Sequence, residues 1–185
     1  MVVKNKLTLL MTGILLASAF GVARAYAQAP PATSQDEAAP DAQSVVQLAP
    51  EQLDQLLAPI ALYPDDLLGD ILMAATYPLD VVEAARWVRD PNNALLSGDQ
   101  LVAALEKQDW DLSVKSLAPF PRILRAMDDE LDWTARLGEA FLADQAAAMD
   151  SVQRLRQRAL AAGRLVSFPE ATVTAEEQIV SIEPS

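Results

Sequence analysis

The chain has 185 residues, with 14 Lys and Arg against 26 Asp and Glu and a net charge of −12, and it contains neither cysteine nor histidine. Without cysteine there is no disulfide, no reactive thiol and no lipid-modified lipoprotein cysteine. Without histidine the commonest general base and zinc ligand are missing, so Ser-His-Asp catalysis and a conventional transition-metal site are excluded for this chain alone. The acidity repels nucleic-acid phosphates and anionic headgroups, which sets nucleic-acid binding aside.

Lys4 and Lys6 precede the apolar run LTLLMTGILLASAFGVA, which ends at the small residues of AYA. This reads as a secretory signal over residues 1–27, cut after Ala27, with a cut after Ala25 as the rival. A retained membrane helix is the competing reading, but the run falls a little short of the roughly 20 residues a bilayer requires. Removing residues 1–27 leaves 11 basic against 26 acidic residues, a net charge of −15. The expected product is periplasmic or secreted from a bacterium, is not a lipoprotein, and has no integral span after cleavage.

Residues 28–47, QAPPATSQDEAAPDAQSVVQ, are rich in Pro, Ala, Gln and acids with little to bury, and read as a disordered linker. Apolar residues at helical spacing then run over residues 48–165, enough for one core without disulfides or metal. Pro50 opens a first helix with Leu53, Leu56 and Leu57. Pro64 opens a second with Leu67, Leu68, Ile71 and Leu72 on one face, and Pro78 a third with Val81, Val82, Ala85 and Val88 inward. Ser97 and Gln100 have capping-box spacing ahead of Leu101, Val102 and Leu105. A short turn at SVKSL and a helix from Pro121 follow. The last helix is predicted to be long, with Asp132 as N-cap, Leu137, Phe141, Met149, Val152 and Leu155 inward, and Gly163 at the left-handed C′ position with Leu165 folding back. At 1.5 Å per residue it would span about 40 Å and organise the rest. Residues 166–185 are polar with a β-branched bias and read as a loose tail or a lone strand. The predicted fold is all-α: a single compact bundle of short Pro-initiated helices packed on one long C-terminal helix.

Tyr63-Pro64 and Tyr77-Pro78 are each followed by an acid and two aliphatic residues, with a weaker third copy at FPRIL. Proline in the first turn sacrifices no hydrogen bond, and an acid two residues later, Asp66 or Asp80, meets free N–H groups and the positive helix end. The preferred reading is therefore a repeated helix-start device. The functional reading makes Tyr63, Tyr77 and Trp87 a stacking surface beside Asp65, Asp66, Asp70 and Asp80, suited to a cell-wall glycan or peptide. Paired carboxylates can hydrolyse a glycosidic bond without histidine, yet nothing in the spacing selects one acid with a raised pKa. Asp128, Glu130, Asp132 and Glu139 match four positions of a calcium loop, but Trp133 stands where the loop needs glycine. Arg154, Arg156, Arg158 and Arg164 complement the negative end of the last helix and form the one basic concentration on an acidic chain, so Arg154 and Arg158 are candidate contacts for an acidic partner.

Three long stretches, LDQLLAPIALYPDDLLGDILMAATYPLDVVEAARW, WDLSVKSLAPFPRIL and LDWTARLGEAFLADQAAAMDSVQRLRQRA, resemble a bacterial family called domain of unknown function 3300, over residues 53–165. The resemblance implies an exported envelope protein and supplies no catalytic residues. The resemblance also implies that members usually run on past a segment like EEQIVSIEP into Tyr- and Pro-rich strands, so the chain reads as the helical part of a longer protein, either naturally shortened or cut by a frameshift. The functional expectation is a non-enzymatic interaction or scaffold module, without cofactor, that binds an envelope protein or itself; the alternative is a glycan or peptide binder using the aromatic-carboxylate surface.

Overall fold

The computed structural model describes residues 48–167, 169 and 171–184. The signal and linker expectations fall on residues 1–47, outside that range. Among these residues eight helices come first: α1 Pro50–Leu57, α2 Asp65–Ala74, α3 Pro78–Arg89, α4 Gly98–Leu105, α5 Leu112–Ser116, α6 Pro121–Asp129, α7 Leu131–Ala143 and α8 Gln145–Ala161. A hairpin of β1 Ala171–Glu176 and β2 Ile179–Pro184 follows. Pro50, Pro78 and Pro121 stand in the first turns of α1, α3 and α6, where a missing N–H has no consequence. Pro64 is the N-cap of α2, with Asp65 and Asp66 in the first turn. At α1 the Gln52 side chain reaches back to accept from the Ala49 N–H at 3.0 Å.

The core joins Leu57 of α1, Ile71 of α2, Val81 and Ala85 of α3, Val114 of α5, Leu124 of α6, Leu137 of α7 and Val152 of α8, all buried. Trp87 and Trp110 meet edge to face at 5.9 Å, and the Trp110 indole donates to Glu83 at 3.1 Å. α4 is the outlier: of its residues only Leu105 is buried. Among the described residues no helix is long and apolar enough to cross a membrane.

Four expectations are corrected. The long last helix is two helices, because Asp144 takes an extended conformation and its carboxylate caps α8 by accepting from the Ala147 N–H at 2.9 Å. The break resets the helical phase, so Ala148 rather than Met149 turns inward. Asp132 lies in the first turn of α7, whose N-cap is Glu130. Ser97 caps α4 by position, but its side chain makes no capping hydrogen bond. Finally, the chain is mostly helical rather than all-α, since the tail is an antiparallel hairpin in unbroken register from Ala171↔Pro184 to Glu176↔Ile179. Alternation in β2 turns Val180 and Ile182 into a small second core with Leu165 and Ala171. The end of α8 matches its expectation: Gly163 has φ 65°, Gly163 N–H bonds Leu160 O and Arg164 N–H bonds Ala159 O, each at 2.9 Å.

α7 crosses the end of α2 at Gly138, where a methyl group would lie 2.2 Å from the Ala75 carbonyl oxygen. That oxygen is backbone and cannot swing away. Gly138→Ala should therefore lower unfolding free energy by about 1–3 kcal/mol or more, read as a fall in thermal midpoint by circular dichroism. An unchanged midpoint would mean that the two helices can separate freely.

Candidate functional site

The α1–α2 connection, Ala58 to Pro64, turns tightly, with Ala61 N–H on Leu57 O at 2.9 Å and Tyr63 N–H on Ile60 O at 3.0 Å. Its own carbonyls point to α8. There Arg156, 1% exposed, donates from Nε to Ala61 O at 2.8 Å and from Nη2 to Tyr63 O at 2.9 Å. Its Nη1 bonds Val180 O of β2 at 2.9 Å and pairs with the Asp65 carboxylate at the start of α2. One guanidinium thus joins the corner, α2, α8 and the hairpin.

The corner forms one wall of a groove of about 390 Å³. Ile60, Tyr63 and Ile71 face Ile123, Ala126 and Met127 of α6, and Trp133 of α7 stands beside them. The Trp133 indole N–H is already bonded to Leu56 O at 2.9 Å, so the ring offers the groove an apolar surface. Arg122 and Glu130 also line it. Aromatic and aliphatic side chains held by helices, with one cation and one anion among them, suit the capture of an apolar side chain from a partner.

The residues singled out in the sequence have separate places. Tyr63 lines the groove. Trp87 lines a second cavity of about 220 Å³ with Ala118, Pro119 and Pro121. Tyr77 lines neither of these two and hydrogen-bonds Asp111 at the start of α5. Asp80 accepts from the Asp111 N–H at 2.9 Å, tying α3 to α5. Asp111 also caps α5, accepting from Ser113 N and Oγ, and those bonds hold its carboxyl below the usual range. Asp66 is exposed in the first turn of α2. Partial burial, then the negative charge of Asp66, push the Asp70 carboxyl up. The spacing shows the Asp66–Asp70 pair; only the fold shows which member is shielded.

Arg154 and Arg158 project from one face of α8 onto a single carboxylate, Asp54 of α1, at 2.7 and 2.8 Å. The Ser151 hydroxyl donates to the same group at 2.6 Å. The basic concentration is thus largely internal pairing, which the sequence conceals because Asp54 lies 100 residues from Arg154. Burial alone would raise the Asp54 carboxyl; the Ser151 hydroxyl and the two guanidinium groups reverse this, and its pKa ends below the ordinary value. The calcium-like residues lie in and between α6 and α7, and Asp128 pairs with Arg89. Among the described residues no three Asp or Glu converge as a metal site.

With this geometry in hand, a family profile described as "Protein of unknown function (DUF3300)" matches residues 49–185. The chain is also 49% identical over 122 residues to the uncharacterized protein YacH of Escherichia coli (strain K12). That match takes in 66% of this chain and 19% of YacH, so the chain spans about a fifth of that relative's length. No solved structure matches.

Asp54 has a depressed folded pKa, so its stabilisation is complete above the unfolded value of about 3.9 and is lost as pH falls through the folded value. Asp54→Asn should cost about 1–3 kcal/mol at pH 7, with the gap to wild type narrowing in acid. Urea titrations across a pH series read this directly, and a gap independent of pH would contradict it.

Proposed function

The chain belongs to the DUF3300 family of proteins of unknown function, and on that footing we propose that it is a non-enzymatic interaction module exported to the bacterial envelope. Its docking surface is the groove between the α1–α2 corner and α6. The observation that carries this reading is the contrast between the groove and the buried polar groups of the described residues. Among the described residues no buried side-chain nitrogen or oxygen lacks a partner. Asp54, Asp65, Asp80 and Asp111, with Arg154, Arg156 and Arg158, are held in bonds that assemble the fold. The groove instead leaves Tyr63 and Trp133 beside aliphatic side chains at an open surface.

The N-terminal basic and apolar pattern with its small-residue cleavage site supports export. The absence of cysteine accords with attachment by protein contact rather than by lipid. Anchor residues in such grooves carry most of the binding energy, while the rim excludes water and selects by charge.

A photoreactive side chain placed at Ala126 of the full chain in living cells tests the reading, with Glu139 on the exposed side of α7 as control. The expected result is one identifiable protein adduct at Ala126 and none at Glu139. Capture of wall fragments alone would overturn the reading in favour of a glycan or peptide binder.

A further inference from the structure

We propose that the groove is covered by helix α4 of a second copy of this chain, whose apolar side chains enter it, and that the exchange is reciprocal; the inference rests on the interaction-module reading above. Three observations meet here. First, α4 is a helix looking for a surface. Val102 is 56% exposed, and Leu95 in the preceding loop is 85% exposed, the largest value for a large apolar side chain among the described residues. A short helix with one buried residue gains little from its own fold, and burying its outer face against a partner supplies what is missing.

Second, the charges match in sign and spacing. Along the groove wall α6 presents Arg122 and Ala126, and Glu130 follows in the break between α6 and α7, four residues apart in sequence each time. Along its outer face α4 presents Asp99, Ala103 and, in the turn that closes it, Lys107, at the same spacing. Residues four apart lie about 6 Å apart along a helix, so parallel docking that sets Asp99 against Arg122 sets Ala103 against Ala126 and brings the turn at Lys107 towards Glu130, just past the end of α6. Each set has an exposed alanine at its centre, which lets the helices approach closely. Among the described residues none of the four charged side chains has a hydrogen bond or ion pair.

Third, the placement requires another molecule. Leu101 of α4 lies with Pro121 and Arg125 in the small cavity on one side of α6, whereas Ala126 lines the groove on another. The chain's own α4 is therefore held away from its own groove. Donor and acceptor flank the same helix, so a twofold axis beside α6 can place each α4 over the other copy's groove and double the buried surface.

Sedimentation velocity of the full chain over a micromolar concentration series tests this. The wild type should form a dimer, and Ala126→Trp, at an exposed position, should leave it monomeric with unchanged circular dichroism. Arg122→Asp and Asp99→Lys should each weaken the dimer by roughly tenfold or more, because each sets like charges together. Mixing those two single variants restores opposite charges at both contacts and should restore the dimer. A wild type that stays monomeric, a dimer indifferent to Ala126→Trp, or a mixture that fails to recover would each overturn the proposal. A monomer whose Ala126 site still captures a different protein would overturn only this inference and leave the interaction-module reading standing.

Discussion

The arrangement turns on one buried cation. A guanidinium removed from water is strongly unfavourable unless it is paired and hydrogen-bonded, and the three guanidinium nitrogens of Arg156 each donate to groups from three other parts of the chain, four bonds in all. Two are carbonyls of the α1–α2 corner, one is a β2 carbonyl and one is the Asp65 carboxylate. The requirement runs both ways. The corner carbonyls have no helical partner of their own, and a lone two-stranded hairpin is at best marginally stable in water. Each element needs the arginine, and the arginine needs all of them. The neighbours of Arg156 on α8 extend the same logic: Gln153 accepts from the Val180 N–H at 2.8 Å, and Gln157 donates to Gln178 O. The outer edge of β2 is thereby met by side chains instead of another strand, which is one way a sheet edge is protected.

That clamp is what positions the groove. Tyr63 sits on a backbone whose carbonyl is held by Arg156, and Ile60 precedes it in the same corner. The opposing wall is fixed independently, since α6 packs on α3 and Arg89 of α3 pairs with Asp128 and Asp129. A binding surface made from two walls with separate supports keeps its width only if both supports hold.

Much of this was legible from local chemistry. Proline fixes φ and lacks a donor, so Pro50, Pro78 and Pro121 mark helix starts whatever surrounds them. Gly163 is similarly local, because a left-handed C′ residue is a property of the helix end. The Tyr-Pro repeat is answered at the same level: both copies start helices, and Asp80 additionally ties α3 to α5. What could not be read depended on distant partners. Asp144 sits in a run of good helix formers, and only the packing of α7 on α2 and of α8 on α1 makes its capping conformation preferable to a continuous helix. Arg154, Arg156 and Arg158 look alike in sequence. Spacing puts the first and third on one face and the second on the opposite face, yet their carboxylate partners lie about 90 to 100 residues away. Tyr63 and Trp133 meet at one groove for the same reason: their proximity is a product of the fold and not of any local pattern.

The central claim is that Arg156 couples the hairpin to the corner without holding up the whole helical body. Native-state amide hydrogen exchange on Arg156→Met measures this residue by residue. The account predicts that Val180, Ile182, Ala61 and Tyr63 amides lose protection, while Val81 of α3 and Leu124 of α6 keep theirs. Unchanged protection in the hairpin and corner, or an even loss across every helix, would contradict it.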